Sequence, residues 1–355
     1  MSRKPPILWS FLMLAMVGCS REQPRATVWR IAGPTMGTTY SITISDPEKK
    51  LSREPDLPSI SSKAEQVLAD INRTMSTYDP KSEISTFNAS TSTEPISISA
   101  DFARVVHRAK EIHQKSHGAF DITVSPLVDL WGFGHRGERP KPPSMDEITR
   151  TLESVGSERL EVTLEPPALR KSIEGLRINL NAIAPGHAAD RLGKLLDELG
   201  YQHYLIDVGG EFLARGKSDS GKPWRIAIER PDRSVLPKQT IQRVLSVANR
   251  AVATSGDYRQ YFEFEGKFYS HTIDPKTGKP VSHSLASATI IADDAMSADG
   301  WATAVMVLGP EKGMQLIESL DNVEAVLLIR RDDGTFEEQA SSGAKKMLVD
   351  APAAP

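Results

Sequence analysis

The sequence predicts a mixed fold of helices and strands, of the α/β (α+β) class, with an irregular order of elements. Hydrophobic residues make up 39% of the 355 residues and charged residues 25%, which are the proportions of an ordinary globular domain. Segments with apolar residues at helical spacing are interspersed with short segments in which polar and apolar residues alternate. Because these segments do not repeat as βαβ units, the pattern favours an irregular body.

The charge balance and the cysteine content exclude several classes of protein. Lys and Arg number 43 against 46 Asp and Glu, which gives a net charge of −3. No strong positive field attracts nucleic acid, so we expect no nucleic-acid partner. A single cysteine excludes both a disulfide framework and a metal site built from several cysteines.

The first residues have the features of a signal peptide. Arg3 and Lys4 precede an apolar run over residues 7–17, which is too short to span a bilayer as a helix. The run ends at Gly18 and Cys19, and a small residue directly before a cysteine at this place resembles a bacterial lipoprotein processing site. An ordinary secretory signal with a chance cysteine is the alternative.

We therefore interpret residues 1–18 as a lipoprotein signal peptide and Cys19 as the lipid-modified residue, followed by a tether over 19–26. Several acyl chains anchor a protein firmly, because each buried CH₂ contributes about 0.8 kcal/mol. The expected location is the bacterial cell envelope, with the lipid-anchored protein facing the periplasm. The lack of any later cysteine suits such an oxidising compartment.

The remaining chain is predicted to form one domain over residues 27–345, followed by a loose tail over 346–355. Helices are predicted where apolar residues recur every three or four positions, with Ser99 as the N-cap of one of them. The predicted helices span 57–74, 99–116, 144–155, 188–199 and 297–308. The predicted strands span 38–44, 204–208, 224–228, 289–292 and 323–330. A hairpin is predicted at 262–269 and a polar loop at 135–143.

The residues that bear chemistry follow no common nucleotide-binding or hydrolase motif. Asp299 and Thr303 stand four residues apart on a predicted helix, so both side chains point the same way. A carboxylate and a hydroxyl are hard oxygen ligands that suit Mg²⁺ beside substrate phosphates. The alternative interpretation of this pair is a solvated helix face.

Three other segments allow a functional and a structural interpretation. His271 follows a strand and is interpreted as a general base or as a hydrogen-bonded structural histidine. Gly209 and Gly210 permit close approach of a ligand to the backbone, and a simple tight turn is the alternative. Aromatic residues beside glycines in 118–134 suit a planar ligand or the packing of the core.

Taken in chain order, eight short segments resemble the ApbE family, the FAD:protein FMN transferases. Together they extend over nearly all of the chain after the signal segment, and the lipoprotein start also suits the bacterial members. The matching segments are 35–40, 76–78, 118–123, 126–134, 208–210, 254–258, 271–278 and 298–304.

The resemblance implies a two-lobed ApbE-like fold, with the FAD site in the cleft between the lobes and a flavin transferase domain over 27–345. It implies an exported enzyme that depends on Mg²⁺ and uses FAD as its substrate. The enzyme would move FMN onto a Thr or Ser hydroxyl of an acceptor protein and release AMP. Acceptors in the family include subunits of the sodium-translocating NADH:quinone reductase and of the Rnf-type electron-transport complex.

The resemblance also implies roles for individual residues. His271 would lie beside the phosphates, and our hypothesis is that it helps to deprotonate the acceptor hydroxyl; Asp299 is the second residue expected to be catalytic. The Mg²⁺ ligands would be the main-chain carbonyl of Ala182 and the side chains of Asp299 and Thr303. The positions expected to bind FAD are Met36, Tyr78, Ala119, Phe120, Asp121, Asn179, Pro185 and Ile273.

The stretch 179–187 departs from the family pattern. Asn179 replaces the usual acid, Pro185 replaces a long polar side chain and lacks a backbone donor, and His187 replaces an aromatic residue. These changes are expected to affect the affinity for FAD. Two alternative functions therefore remain in addition to flavin transfer. One is an FAD pyrophosphatase that yields FMN and AMP, and the other is a lipid-anchored flavin-binding protein without enzymatic activity.

Overall fold

The computed structural model describes residues 27–134, 141–232, 240–258 and 260–350. The predicted signal peptide, Cys19 and the tether lie outside the described residues, as do most of the predicted loop 135–143 and the last five residues of the chain. Within these four ranges, no helix is both long enough and apolar enough to cross a membrane.

Eight α-helices and two short 3₁₀ helices form in the described part of the chain. Ser99 caps the third α-helix as predicted, and Ser144 and Glu147 form a capping box on the fifth. The α-helices are α1 (Leu57–Met75), α2 (Glu83–Ala89), α3 (Ala100–Lys115), α4 (Ser125–Leu130), α5 (Met145–Leu152), α6 (Ala184–Glu198), α7 (Ala295–Leu308) and α8 (Pro310–Glu318), and the 3₁₀ helices are Ser157–Arg159 and Ala344–Lys346.

Eighteen strands form in the same ranges, most of them short. They are β1 (Val28–Thr35), β2 (Thr38–Ser45), β3 (Ile96–Ser97), β4 (Leu160–Leu164), β5 (Pro167–Lys171), β6 (Tyr204–Val208), β7 (Glu211–Arg215), β8 (Trp224–Glu229), β9 (Ile241–Val247), β10 (Arg250–Gly256), β11 (Tyr261–Phe264), β12 (Lys267–Ser270), β13 (Ile273–Asp274), β14 (Lys279–Pro280), β15 (Leu285–Ala292), β16 (Glu324–Arg330), β17 (Phe336–Ala340) and β18 (Leu348–Val349).

An eight-stranded sheet in the order β1-β2-β6-β7-β10-β15-β16-β17 forms the centre of the molecule. Each strand pair among the described residues is antiparallel, which explains why the sequence shows no βαβ repeat. Two three-stranded sheets, β3-β5-β4 and β18-β9-β8, lie beside it. The mixed helix and sheet class predicted from the sequence is confirmed.

Both faces of the central sheet are covered, and a smaller lobe stands beside them. Helices α1, α3, α6 and α7 pack with one face in the main core, and β8 and β9 cover the other face. A separate cluster around Leu127, Trp131, Ile148 and Ile273 joins α4 and α5 to the end of the hairpin formed by β11 and β12. The cleft of the molecule lies between this smaller lobe and the central sheet.

Several predicted boundaries are wrong. Strand β15 begins at Leu285 rather than at 289, and helix α5 ends at Leu152 rather than at 155. Helix α6 begins at Ala184, four residues before the predicted start at 188, because Pro185 occupies the first turn, where a missing N–H removes no intrahelical bond. The tail is not loose from residue 346 onward: Leu348 and Val349 pair with Leu245 and Val244 of β9. A two-residue strand carries too little sequence pattern to predict this pairing.

Gly186 allows α6 to approach α7 closely, and we expect Gly186→Ala to destabilise the protein. A Cβ at this position would lie 2.3 Å from the Ala295 carbonyl oxygen and 2.9 Å from Asp299 Cβ. The expected loss of unfolding free energy is about 1–3 kcal/mol, measured by urea denaturation. Gly175→Ala is the control, because the nearest atom to its Cβ is 4.0 Å away. Equal stability of the two variants would contradict the close packing.

Candidate active site

A cavity of about 400 Å³ opens between the central sheet and the smaller lobe. It is lined by nine of the twelve residues that were expected to bind FAD, to bind the metal or to act in catalysis. These nine residues come from distant parts of the chain. These nine are Ala119, Phe120, Asp121, Asn179, Ala182, His271, Ile273, Asp299 and Thr303.

Asp299 and Thr303 lie one helical turn apart on α7 and both face the cavity. Asp299 is 6% exposed, and its Oδ2 accepts a hydrogen bond of 3.1 Å from the backbone N–H of Gly186. Among the described residues this is the only hydrogen bond to that carboxylate, so Oδ1 remains for a ligand. Within the described part of the chain, the one hydrogen-bond contact of the Thr303 hydroxyl is a long one of 3.4 Å to Ser255 Oγ.

The carbonyl of Ala182 is also left for a ligand by the way α6 begins. Ala182 precedes α6, and the Gly186 N–H is one of the first-turn N–H groups that have no intrahelical partner. That N–H donates to Asp299 Oδ2, and in the described ranges no backbone N–H donates to the Ala182 carbonyl. An orphaned carbonyl, a carboxylate and a hydroxyl therefore line the same cavity.

This set of oxygen donors fits Mg²⁺. Mg²⁺ prefers hard oxygen ligands and completes its coordination shell from water and substrate phosphates. The described residues contain no group of three or more His, Cys, Asp or Glu side chains placed to hold a metal, so the donor set does not resemble a zinc-type site. Burial raises the pKa of Asp299 to about 7, and a cation beside it would favour the ionised form.

His271 is held with one ring nitrogen facing the protein. Its Nδ1 lies 3.1 Å from the backbone oxygen of Gln260, which also accepts from the His271 N–H at 3.2 Å. A carbonyl can only accept, so Nδ1 carries the proton and Nε2 keeps its lone pair. Burial lowers the pKa of His271 below the usual 6.5, which keeps the ring neutral at pH 7.

A chain of aromatic rings supports His271 from the smaller lobe. The edge of Phe133 lies against the His271 ring, with centroids 6.4 Å apart, and Phe133 packs in turn on Phe262 at 5.5 Å. Phe262 stacks on Tyr269, which contacts Trp131. The β11–β12 hairpin and the segment 126–134 thus jointly support the His271 ring. The aromatic residues of that segment, Trp131 and Phe133, belong to this cluster of rings.

The turn at Trp131 is joined to the segment that follows His271. Trp131 Nε1–H donates to the Gly278 carbonyl at 2.8 Å. Asp274 accepts from the Lys276 N–H and the Thr277 hydroxyl, both at 2.9 Å, so the second half of this segment is a turn, as predicted. His271 and Ile273 face the cavity, while the residues after them fix the turn.

Asp121 has a structural role beside the one expected from the sequence. Its Oδ1 accepts from the Thr123 N–H at 2.8 Å and from the hydroxyls of Thr123 and Ser157 at 2.6 and 2.7 Å, and Oδ2 accepts from the Ser157 N–H at 3.1 Å. These bonds stabilise the turn that presents Ala119 and Phe120. Asp121 also lines the cavity, and its contact with FAD stays a prediction.

Asn179 preserves the turn that an acidic residue would form at this position. Its Oδ1 accepts from the Asn181 N–H at 2.7 Å, and a carboxylate would accept in the same way. This turn places Ala182 at the cavity. The amide differs from an acid in offering donor hydrogens to a ligand, so the substitution changes the polarity of the site and leaves its shape intact.

Three residues expected to bind FAD do not line the cavity: Met36, Tyr78 and Pro185. Met36 occupies the β1–β2 turn with a positive φ of 49°, and the Tyr78 side chain is 73% exposed. Pro185 lies in the first turn of α6. His187, 5% exposed, lines a different cavity beside the start of α3.

Some residues of the site were not predicted from the sequence. Phe133 lies within a segment that was noted, but its contact with His271 depends on tertiary packing. Gln260 acts through its backbone carbonyl, for which no side-chain signal exists. Ser255 and Glu211 line the cavity next to Thr254, at the ends of two strands that meet only in the sheet.

Phe120 and Tyr78 are expected to respond differently to replacement by alanine. Phe120 is 2% exposed, so Phe120→Ala should cost about 3–5 kcal/mol of unfolding free energy. Tyr78→Ala should change stability by less than about 0.5 kcal/mol. If Tyr78 contacts bound FAD, its loss weakens FAD binding about two- to tenfold. A titration with FAD tests this, with Tyr78→Phe as the control; an unchanged Kd for Tyr78→Ala would show that the ring takes no part.

The fold is that of flavin transferases of known structure. The flavin transferase ApbE from Vibrio cholerae superposes with a TM-score of 0.81 at 36% identity, covering 91% of this chain and 100% of that chain. The flavinyl transferase ApbE from Pseudomonas stutzeri gives a TM-score of 0.80 at 34% identity, covering 90% and 96%. Residues 36–327 match the sequence profile of the ApbE family. This chain belongs to the ApbE family.

Curated relatives of similar length carry the same name. The FAD:protein FMN transferase of Haemophilus influenzae is 38% identical over 343 residues, which are 95% of this chain and 95% of the relative. The FAD:protein FMN transferase of Vibrio cholerae is 38% identical over 339 residues, covering 95% and 96%. The resemblance inferred from eight short segments is confirmed.

Proposed function

We propose that this protein transfers FMN from FAD to a Thr or Ser hydroxyl of an acceptor protein and releases AMP. The observation that carries the proposal is the convergence of a neutral histidine and three oxygen donors for a cation on one cavity. The names of the relatives, FAD:protein FMN transferase, support the same activity.

The residues of the cleft suit the transfer step. The acceptor oxygen forms a bond to the phosphorus of the FMN half, the bond from that phosphorus to the bridging oxygen breaks, and AMP leaves with the bridging oxygen. The hydroxyl proton passes to Nε2 of His271, which the Gln260 carbonyl keeps unprotonated before the reaction. Such a reaction depends mainly on alignment and on charge neutralisation.

The cation proposed for this site is Mg²⁺, held by the Ala182 carbonyl, Asp299 and Thr303. Bound there, it would neutralise charge on the phosphate oxygens of FAD. The protein contributes the fixed positions of its donors: Gly186 orients the Asp299 carboxylate, and Ser255 contacts the Thr303 hydroxyl.

One assay separates the proposed transferase from the two alternatives. The purified protein is incubated with FAD, Mg²⁺ and an acceptor subunit, and both the acceptor and the free nucleotides are analysed. Covalent flavin on the acceptor together with AMP supports transfer. Free FMN and AMP without labelled acceptor indicate a pyrophosphatase, and intact FAD indicates a flavin-binding protein. We propose subunits of the sodium-translocating NADH:quinone reductase and of Rnf-type complexes as the acceptors to test.

We further propose that Cys19 anchors the protein in the bacterial cell envelope, with the catalytic domain facing the periplasm. The support is the apolar run before Gly18 and Cys19, and the finding that no helix in the described ranges meets the criteria for a membrane span. Cys19→Ala should move the protein from the membrane fraction to the soluble fraction of the cell. Tight membrane attachment of the variant would contradict the lipid anchor, and Ser20→Ala serves as the control.

A further inference from the structure

A second cavity, of about 360 Å³, lies at the ends of the central strands. We call it the strand-end cavity and define it by Thr38, Thr39, Gly210, Ala227, Glu229 and Tyr258. Three of the eight family-like segments, 35–40, 208–210 and 254–258, meet at it. The cation site and His271 do not account for the first two of these segments.

The two glycines at this cavity have a structural explanation that also shapes the surface. Val208 pairs with Glu211, so Gly209 and Gly210 form a two-residue hairpin turn, with φ values of 71° and 110°. Such a turn requires positive φ at both positions, which favours glycine. The Gly210 N–H donates to Asp207 Oδ1 at 2.9 Å. The turn therefore presents a fixed wall without side chains, against which another chain can lie closely.

The strand-end cavity shares a wall with the cleft at its cation end. Thr254 lines both cavities, and its neighbours Ser255 and Gly256 line the cleft. Ser255 Oγ lies 3.4 Å from Thr303 Oγ1, one of the proposed Mg²⁺ ligands. Consecutive residues of a strand point to opposite faces of the sheet, so the two cavities lie on the two sides of β10 near its end at Gly256. A segment seated in the strand-end cavity would reach the place of the FAD phosphates around this end of the strand.

The loop after Thr254 is firmly placed. A Cβ on Gly256 would lie 2.4 Å from Tyr258 Cε1, so the Tyr258 ring packs directly on the Gly256 backbone. Arg330 donates to Asp257 Oδ1 at 3.1 Å and to the Pro231 carbonyl at 3.3 Å. These contacts hold Gly256, Asp257 and Tyr258 in place between the two cavities.

We propose that the strand-end cavity seats the segment of the acceptor protein that carries the reacting hydroxyl. The proposal rests on the transferase function, which needs a second substrate to reach the phosphates from outside the FAD site. The size of the cavity suits an extended segment of a few residues. The rest of the acceptor would remain outside.

The lining indicates the chemistry of that segment. Asp207 and Glu229 are carboxylates, Thr38 and Thr39 offer hydroxyl groups, and none of the described lining residues is cationic. Such a surface favours backbone N–H and hydroxyl donors and disfavours acidic side chains next to the reacting Thr or Ser. The glycine turn favours small residues at the point of closest approach.

A blocking substitution tests the proposal. Ala227 is exposed on β8, so Ala227→Trp fills the cavity without disturbing the core. Arg225→Trp is the matched control, because Arg225 is also exposed on β8, two residues earlier on the same face, and does not line the cavity. Thr39→Trp blocks the cavity from the opposite wall and guards against a folding defect in the first variant.

The probe is the purified acceptor subunit of a sodium-translocating NADH:quinone reductase, with covalent flavin, AMP release and FAD affinity measured separately. Ala227→Trp and Thr39→Trp should lower kcat/KM for the acceptor at least about tenfold, mainly through KM, and leave the Kd for FAD unchanged. Wild-type KM for the acceptor in both variants would overturn the proposal. A parallel loss of FAD affinity would also overturn it, because the cavity would then belong to the FAD site. Absence of covalent flavin with the wild-type protein would instead contradict the transferase function itself.

Discussion

Asp299→Asn should slow flavin transfer more than substitution of either other proposed cation ligand, on the order of 100-fold at limiting Mg²⁺. Asp299 is the only ionisable side chain among the three proposed cation ligands. Asparagine retains an oxygen that can accept from the Gly186 N–H, so the contact between α6 and α7 is preserved. The loss therefore reflects the missing charge, and high Mg²⁺ should restore part of the rate.

The measurement is the transfer rate as a function of Mg²⁺ concentration for the wild type and three variants. Thr303→Val should have a smaller effect, because it removes one neutral oxygen. Asp293→Asn is the control, since Asp293 is an exposed residue before the same helix and pairs with Arg250. An Asp299→Asn variant with the wild-type rate and the wild-type Mg²⁺ requirement would show that this helix face is only structural.

Replacement of His271 should abolish most of the transfer without comparable loss of FAD binding. General base catalysis contributes about 10²–10⁴-fold, so His271→Asn is expected to lower kcat by about that factor. Asparagine keeps a donor for the Gln260 carbonyl but has no basic nitrogen. His107→Asn is the control, because His107 is an exposed residue on α3.

The pH profile of the wild type gives an independent test of this role. Protonation of His271 removes the base, so the rate falls as the pH drops through its pKa. Burial lowers that pKa below the usual 6.5, so the acid limb of the profile should lie below pH 6.5. At saturating Mg²⁺, which keeps the Asp299 carboxylate ionised, this limb should disappear in His271→Asn. A His271→Asn variant with wild-type kcat, or with an unchanged acid limb, would assign the proton to another group.

Local sequence patterns were sufficient for the helices and strands with strong periodicity. The helix at 57–74 and the strand at 204–208 are observed within one residue of their predicted ends, because each buries one regular apolar face. The start of α6 was predicted four residues late, since its first turn carries a proline and a glycine rather than an apolar repeat. The pairing of β18 with β9 was missed because two residues show no periodicity.

The residue types of the site were also evident from the sequence. The spacing of Asp299 and Thr303 placed both on one helix face, and the structure directs both into the cleft. The eight ordered segments were sufficient to identify the ApbE family, because their combination is far more specific than any one of them. The binding of FAD by Met36, Tyr78 and Pro185 stays a prediction, as none of them lines the cavity.

The sequence by itself thus determined the class of fold, the family and the chemical groups that meet in the cleft. Only the tertiary structure decided which of their atoms are available. Asp121 has the right residue type for a ligand, and in the structure Thr123 and Ser157 engage its oxygens. The Ala182 carbonyl, by contrast, lies just before α6 and accepts no backbone hydrogen bond within the described ranges. The physical reason is that hydrogen-bond partners come from residues distant in the chain, and a local pattern cannot specify them.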